Sequence, residues 1–275
     1  MKRNYIKEVD EIQKIALNIL KYLDHTCKEY GLTYFVSGGT LLGAVRHHGF
    51  IPWDDDIDVW MPRKDYERLF KIINEQSDQP FQMIDFRNKK HYYCAYAKII
   101  DVRTTLVERT HSKKKCEIGI YIDIFPYDGL PKDKKKAENY MRLGDFLYYQ
   151  YRHDSFSWDE MNKKSKGNSF IKWTKWILRK IIGKKNFIMM IDKYARHYPI
   201  ENSVYIGSIG TGYRKDQFMH NEFCQKIIPA KFQDIEIMIP SGYDEYLTKV
   251  YGDYMKLPPI EERNPHHNFV AWWKE

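Results

Sequence analysis

The chain has 275 residues, enough for one large domain or two small ones, and its 43% hydrophobic and 30% charged residues are typical of a globular protein and exclude a disordered one. Lys and Arg number 45 against 37 Asp and Glu, so the formal net charge of +8 favours an anionic partner without specifying its kind. No run of eighteen apolar residues occurs and residues 1–10 are too charged for a signal peptide, so we expect a cytoplasmic chain rather than a membrane-spanning or secreted one.

The first predicted elements are a helix and a strand–turn–helix unit. Apolar residues at helical spacing predict an amphipathic helix over residues 9–23, which ends near Gly31. Residues 33–37 are β-forming and are followed by two glycines and a helical stretch at residues 40–46. These residues therefore predict a strand, a glycine turn and a helix in succession.

The next elements complete a mixed α and β pattern. Residues 57–59 read as a strand with one apolar and one carboxylate face, and Pro62 suits the start of a helix that continues to Ile73. Three strands are predicted after this helix, at residues 81–86, 92–100 and 118–125. Pro126 is expected to close the last of them. Together these elements predict an α+β fold with a mixed sheet.

The character of the chain changes after Pro131. Helices are predicted near residues 134–151, 169–182 and 185–197. The terminal part returns to strand-like alternation at residues 226–240 and to a helix at 244–251. We expect a catalytic core, an inserted helical region and a C-terminal α+β segment that packs back on the core, at residues 1–130, 131–200 and 201–275 respectively.

The densest chemical feature is the acidic run WDDDIDV at residues 53–59. Because strand side chains alternate, Asp56 and Asp58 would share one face with their Cα atoms about 7 Å apart, while Ile57 packs on the other. Two carboxylates this close repel each other unless a cation lies between them, and hard oxygen ligands suit Mg²⁺. The alternative is a solvated acidic loop.

The glycine turn is the second feature. Ser37, Gly38, Gly39 and Thr40 would let the backbone approach a ligand closely and would direct N–H groups and a helix N-terminus at an anion. Such turns are common as simple connections. Because a D-x-D strand follows shortly afterwards, the stronger interpretation is a site that binds phosphate together with its metal ion.

These residues also resemble a known family. The turn followed by Asp56 and Asp58 resembles the polymerase β type of nucleotidyltransferase fold. Residues 38–69, GGTLLGAVRHHGFIPWDDDIDVWMPRKDYERL, closely resemble the LicD family of phosphocholine transferases, which is related to the fukutin-type transferases. The resemblance continues at residues 121–129, 246–247, 251–255 and 257–259.

The resemblance implies an enzyme that transfers phosphocholine from CDP-choline to a sugar hydroxyl of a bacterial surface glycan precursor, teichoic acid or lipooligosaccharide, and releases CMP. Asp56, Asp58 and Asp123 would be the catalytic residues and the ligands of Mg²⁺, with two ions expected. Asp123 would bind the second ion or accept the proton of the attacking hydroxyl. Asp54 and Asp55 are expected to be supporting charges, and if the strand begins early enough to include them, Asp55 would point away from Asp56.

Basic and aromatic residues complete the expected donor site. Arg46 and Lys98 are candidates for phosphate contacts, although Lys98 is equally well explained as a lysine on a solvated strand face. Arg263 and His266 match a basic segment of the family. Choline carries a quaternary ammonium that aromatic faces bind, and Trp53, beside the acidic run, is the first candidate for such a contact.

A basic segment lies in the helical region. Residues 163–185 contain nine Lys or Arg and no Asp or Glu, which accounts for the excess positive charge of the whole chain. Two tryptophans on an apolar stripe opposite lysines are typical of an interfacial helix on an anionic membrane. This predicts peripheral association with the inner face of the plasma membrane, where a lipid-linked glycan acceptor is presented. A packed helix with solvated charges is the alternative.

Three other functions stay open. The same fold would serve a different donor, such as CDP-ribitol, CDP-glycerol or a sugar phosphate, in capsule or teichoic acid synthesis. A nucleic-acid-binding protein would use the basic segment, but we expect no nucleic acid partner. A catalytically inactive scaffold is disfavoured because all three expected carboxylates are present.

Overall fold

The structure is a computed structural model and describes residues 4–108, 116–152, 169–211, 218–264 and 269–275. Its helices are α1 (Val9–Tyr30), α2 (Gly38–His47), α3 (Arg63–Glu75), α4 (Lys134–Arg152), α5 (Ser169–Ile182), α6 (Lys184–Ala195), α7 (Asn221–Gln225) and α8 (Tyr243–Tyr251). Its strands are β1 (Asn4–Ile6), β2 (Phe35–Val36), β3 (Asp58–Pro62), β4 (Phe81–Ile84), β5 (Ala97–Asp101), β6 (Thr104–Glu108), β7 (Tyr121–Gly129), β8 (Tyr205–Gly207), β9 (Met219–His220), β10 (Ile227–Phe232), β11 (Ile235–Pro240) and β12 (Phe269–Trp273).

A mixed sheet with the strand order β2-β3-β7-β5-β4 forms the centre of the molecule. β3 and β7 run parallel, while β2, β5 and β4 join the sheet by antiparallel pairing. The far end of β7 pairs with β8, which pairs with β9. The predicted α+β class with a mixed sheet is therefore confirmed.

The core forms because α1 presents one apolar face to this sheet. Ile15, Ile19, Leu20 and Leu23 of α1 are buried, and the helix contacts β5 and β7. Each such side chain contributes about 1.5–3 kcal/mol when removed from water. The helix ends at Gly31, whose φ of 61° is the left-handed conformation that closes a helix readily only with glycine.

The helical region is attached to the sheet by a buried arginine. Arg63, the first residue of α3, donates hydrogen bonds to both carboxylate oxygens of Asp128 on β7, at 3.0 and 2.5 Å, and to Asp192 on α6 at 3.0 Å. Burial alone would lower the pKa of Arg63, but the negative charges of Asp128 and Asp192 raise it above its usual value. Within the described residues, no helix combines the length and apolar character needed to cross a bilayer.

The end of the chain packs on its beginning. The hairpin of β10 and β11 contacts α2 and β2, and β12 lies between β1 and β6 in a separate antiparallel sheet. Tyr246 and Leu247 of α8 are buried in the same cluster as the central strands. The division into regions 1–130, 131–200 and 201–275 stays a prediction.

Two predicted strand boundaries are wrong. Residues 92–96 form no strand before β5, because this segment turns and the Tyr92 hydroxyl donates to the carbonyl of Tyr96 at 2.9 Å. Pro126 does not close its strand, since β7 continues to Gly129. The residues of β7 that pair with β5 end at Ile124. Pro126, which has no N–H, lies two positions beyond them, so β7 tolerates a proline there.

Candidate active site

Three neighbouring strands bring Asp58, Asp123 and Lys98 side by side. Asp58 of β3 is paired with Asp123 of β7 in the parallel ladder, and Asp123 is paired with Lys98 of β5 in the antiparallel ladder. Residues paired directly across strands project from the same face of a sheet. The three side chains therefore form one row, although they lie far apart along the chain.

Lys98 and Asp123 form a buried ion pair within this row. The ammonium nitrogen lies 2.5 Å from Asp123 Oδ1, and the side chains are only 2% and 8% exposed. Of the two interpretations of Lys98, a lysine on a solvated strand face is therefore wrong, because Lys98 is buried against a carboxylate.

The glycine turn holds the backbone of Asp58 on both sides. The N–H of Ser37 donates to the carbonyl of Asp58 at 2.9 Å, and the N–H of Asp58 donates to the Thr40 hydroxyl at 2.9 Å. Ser37 and Thr40 are buried, and Gly38 has a φ of 56° that favours glycine. The turn therefore fixes the backbone position from which the Asp58 carboxylate projects.

Asp54, Asp55 and Asp56 form a compact carboxylate cluster just before β3. One carboxylate oxygen of each lies within 4.8 Å of the others. The condition under which Asp55 would point away from Asp56 is not met, because β3 begins at Asp58 and the preceding residues form a loop without strand alternation. The cluster also differs from the predicted ligand set, in which Asp54 and Asp55 only support the site.

The anion beside the glycine turn is the chain's own Asp54. A Cβ atom placed on Gly39 would lie 2.6 Å from Asp54 Oδ2, so only glycine leaves room for this carboxylate. The α2 N-terminus, which carries partial positive charge, thus lies next to the acidic cluster.

A cavity of about 1000 Å³ opens in front of these carboxylates. Asp54, Asp56 and Asp58 line it together with Gly39 and Trp53, and so does Tyr251 at the end of α8. Partial burial raises the pKa of the Tyr251 hydroxyl, as do the negative charges of Asp58, Asp54 and Asp56. The cavity therefore has a negatively charged wall formed by residues from β3 and the loop before it.

Basic residues line the cavity as well, and the end of the chain contributes Lys256 and Arg263 together with the carboxylates of Asp253 and Glu262. Arg46 of α2 donates to the carbonyls of Tyr254 at 2.8 Å and Lys256 at 3.3 Å. Arg263 lines the cavity, donates to the carbonyl of Pro258 at 3.0 Å, and places its guanidinium 5.4 Å from the centre of the Trp53 ring. The chain segment at residues 252–264, called the C-terminal strap below, is thus tied to α2 and to the acidic loop.

The structure brings most of the predicted site residues to this cavity, but not all. Gly39, Arg46, Trp53, Asp56, Asp58 and Arg263 line it. Ser37, Gly38 and Thr40 lie behind the lining, where the turn positions Asp58. Lys98 and Asp123 are described by the structure but are not among the residues that line the cavity. His266 falls in a part of the chain that the structure does not describe.

Two residues of the site, Gln13 and Tyr251, are not among the site residues predicted from the sequence. Gln13 of α1 donates from its amide nitrogen to the carbonyl of Asp54 at 2.7 Å and of Ile51 at 3.3 Å, so α1 holds the acidic loop. Tyr251 lies in a stretch that resembles the LicD family, which is the one signal that could have pointed to it.

The donor set fits a hard divalent cation. Carboxylate oxygens are the ligands that Mg²⁺ prefers, and three of them converge at Asp54, Asp55 and Asp56 beside Asp58. Such an ion would also relieve the repulsion among carboxylates this close together.

Comparison with known proteins identifies the family. Over 261 residues, which are 94% of this chain and 95% of the relative, the sequence is 33% identical to the lipopolysaccharide cholinephosphotransferase LicD of Haemophilus influenzae. The chain belongs to the LicD family. As a LicD-family protein it is an enzyme, a phosphotransferase, and the resemblance of its motifs to this family is confirmed.

Other relatives of this LicD-family protein share shorter segments. Residues 31–160 match the family described as LicD/FKTN/FKRP, nucleotidyltransferase domain. An uncharacterised protein of Rickettsia typhi is 29% identical over 42% of this chain and 36% of its own length. The ribitol 5-phosphate transferase FKRP of human and mouse is 44% identical over 39 residues, 14% of this chain and 8% of FKRP.

Proposed function

We propose that this LicD-family enzyme transfers phosphocholine from CDP-choline to a sugar hydroxyl of a bacterial surface glycan precursor and releases CMP, in a reaction that requires Mg²⁺. The observation that carries the proposal is the acidic cluster facing a cavity of about 1000 Å³ in a chain related over 94% of its length to a cholinephosphotransferase. The parallel pair of β3 and β7, with Asp58 beside Asp123, supports a nucleotidyltransferase fold.

The site divides into a part for the diphosphate and a part for the rest of the donor. Asp56 and Asp58, with Asp54 beside them, would hold Mg²⁺, which would neutralise the negative charge that develops on the phosphate oxygens. Arg46 and Arg263 line the same cavity and would contact phosphate oxygens through their guanidinium N–H groups. Asp58 is held at both backbone groups, so its carboxylate is oriented before the donor binds.

The identity of the alcohol carried by the donor is less well supported by the site than the binding of its diphosphate. Trp53 lines the cavity, but Arg263 already lies 5.4 Å from its ring centre. A quaternary ammonium would have to displace Arg263 or bind elsewhere, since two cations over one ring face repel each other. An uncharged alcohol, as in CDP-ribitol or CDP-glycerol, would instead accept Arg263 as a hydrogen-bond donor. FKRP, named a ribitol 5-phosphate transferase, makes this second donor class the principal alternative.

CMP release from a panel of CDP-choline, CDP-ribitol and CDP-glycerol tests the proposal. We expect Mg²⁺-dependent release that is fastest with CDP-choline and is lost in Asp56→Asn. Asp234→Asn is the matched control, because this carboxylate is 66% exposed and pairs with Lys21 away from the cavity. Release only from another donor would refute the choline assignment, and release unaffected by Asp56→Asn would refute the site.

The glycan acceptor motivates a second proposal, that the helical region binds an anionic membrane surface. In α5, Trp173 and Ile181 are 45% and 75% exposed, and Lys180 is also exposed. Further exposed apolar side chains follow the neighbouring helices, namely Leu143, Phe146 and Tyr149 on α4 and Met189 and Met190 on α6. Exposed apolar residues among lysines are typical of a helix that lies in a bilayer interface. Residues 163–168 of the basic segment lie outside the described residues.

Sedimentation with vesicles containing anionic lipid tests this second proposal. Ile181→Gln should weaken binding about 10- to 150-fold, because an inserted isoleucine gains about 1.5–3 kcal/mol. Ile260→Gln is the matched control, since Ile260 is 76% exposed but lies on the C-terminal strap. Equal loss in both variants, or no binding by the wild type at low salt, would refute membrane association. Salt-sensitive binding to nucleic acid that persists in Asp56→Ala and Asp58→Ala would favour the nucleic-acid alternative instead.

A further inference from the structure

The buried ion pair between Lys98 and Asp123 bears on how many metal ions the site takes. Lys98 lies on β5, two strands away from Asp58, and its ammonium is within 2.5 Å of Asp123 Oδ1. The Tyr121 ring centre is 3.4 Å from the same nitrogen, and the Tyr96 ring centre is 5.5 Å away. A carboxylate and two ring faces therefore surround the ammonium, and all three favour a positive charge there.

Burial makes the pairing hard to break. Lys98 is 2% exposed and Asp123 is 8% exposed, so separating them would leave a charge in a medium that solvates it poorly. The register of the sheet adds a second constraint, because Lys98 and Asp123 are directly paired residues of β5 and β7. The ammonium is thus part of the sheet and not a mobile surface charge.

A second divalent ion bound by Asp123 would lie next to this ammonium. Like charges at such short range repel each other strongly away from water. Asp123 also differs from the other carboxylates, since Asp54, Asp56 and Asp58 line the cavity and Asp123 is not among the residues that line it. Asp54 and Asp56 belong, with Asp55, to the cluster whose carboxylate oxygens converge within 4.8 Å, so this acidic cluster can hold an ion without Asp123.

We infer that Lys98 takes the place of a second metal ion, so that the enzyme binds a single divalent cation at the acidic cluster of Asp54, Asp55 and Asp56, beside Asp58. Lys98 is a positioning residue in this arrangement, because it neutralises and orients Asp123 and makes no contact with the donor. The inference rests on the proposed metal-dependent function, and it replaces the expectation of two ions with one.

Titration of the purified protein with Mn²⁺ tests the inference without any donor or turnover. Calorimetry and electron paramagnetic resonance should give one ion per wild-type chain. In Lys98→Met the freed Asp123 should recruit a second, weaker ion, and Lys98→Arg, which keeps the charge, should return the count to one. Two ions in the wild type, or a folded Lys98→Met protein that still binds one, would overturn the inference.

A charge-free pair guards against a variant that fails to fold. Lys98→Met combined with Asp123→Asn removes both buried charges at similar volume, a change that buried pairs often tolerate. This double variant should bind one ion with an affinity within threefold of the wild type. A loss of tenfold or more would show that Asp123 is a ligand and would overturn the inference. A wild-type chain that binds no Mn²⁺ would instead refute the proposed metal dependence, while failure of every CDP-alcohol with one ion bound would refute only the proposed donor.

Discussion

The contact between Gly39 and Asp54 allows a single methyl group to perturb the acidic cluster. In Gly39→Ala the new Cβ would lie 2.6 Å from Asp54 Oδ2. An ordinary contact between carbon and oxygen is about 3.3 Å or longer, so the carboxylate must move by roughly 0.7 Å. Misplacement of about 1 Å in an active site costs up to about 100-fold in rate, and we expect turnover to fall about 10- to 100-fold.

The same substitution should leave the stability of the protein almost unchanged. Alanine is favoured over glycine in a helix by at most about 1 kcal/mol, which offsets the small cost of turning a flexible side chain. Urea unfolding should therefore differ from the wild type by less than about 1 kcal/mol, while Mn²⁺ affinity and CMP release both fall.

Gly38→Ala is the matched control for this prediction. Gly38 has a φ of 56°, so alanine there should cost about 1–2 kcal/mol of stability through backbone strain. The two neighbouring glycines should thus separate, one affecting mainly the site and the other mainly the fold. Wild-type turnover and wild-type Mn²⁺ affinity in Gly39→Ala would refute the placement of Asp54 beside the turn.

Three further predictions concern other parts of the molecule. Asp58→Asn should abolish turnover and leave the circular dichroism melting curve unchanged, and appreciable activity with Mg²⁺ would rule Asp58 out as a metal ligand. Arg63→Met should reduce the free energy of unfolding in urea by about 3–5 kcal/mol, because it leaves Asp128 buried without its partner. Arg68→Met, which removes a 47% exposed partner, should change it by less than about 1 kcal/mol, and equal losses would contradict the role of burial. Trp53→Leu should raise the KM for CDP-choline about 2- to 30-fold and leave that for CDP-glycerol unchanged if the ring binds the ammonium; a matching rise with both donors would count against that contact.

Much of the fold follows from local patterns in the sequence. The helical spacing of α1, the β-forming run before Ser37 and the long apolar stretch of β7 all predict the observed elements. Their ends were less predictable, because Pro126 reads as a strand terminator although the β7 ladder accommodates it. Whether a missing N–H matters depends on which neighbour lies beside it, and that information is tertiary.

The site could be predicted in its components but not in its arrangement. Asp56, Asp58, Gly39 and Trp53 stand close together in sequence, so their common location follows from one motif. The pairing of Asp123 with Lys98 depends on the register between β5 and β7, which local patterning does not specify. For the same reason, nothing in the sequence indicates that Lys98 is buried.

The C-terminal strap shows the same limit from the other end of the chain. Arg46 and the carbonyl of Tyr254 are separated by 208 positions along the chain, yet they form one wall of the cavity. The resemblance to a known family drew attention to Arg263 and to the residues around Tyr251. Their distances to Trp53 and to the acidic cluster became apparent only in the structure.

Phosphorus nuclear magnetic resonance of CDP-choline incubated with the protein, Mg²⁺ and a lipid-linked glycan tests the central claim most directly. The diphosphate signals should disappear as CMP and a new phosphodiester on the glycan appear together, in wild type but not in Asp58→Asn. Free phosphocholine without a glycan phosphodiester, or unchanged diphosphate signals, would contradict the proposed transfer.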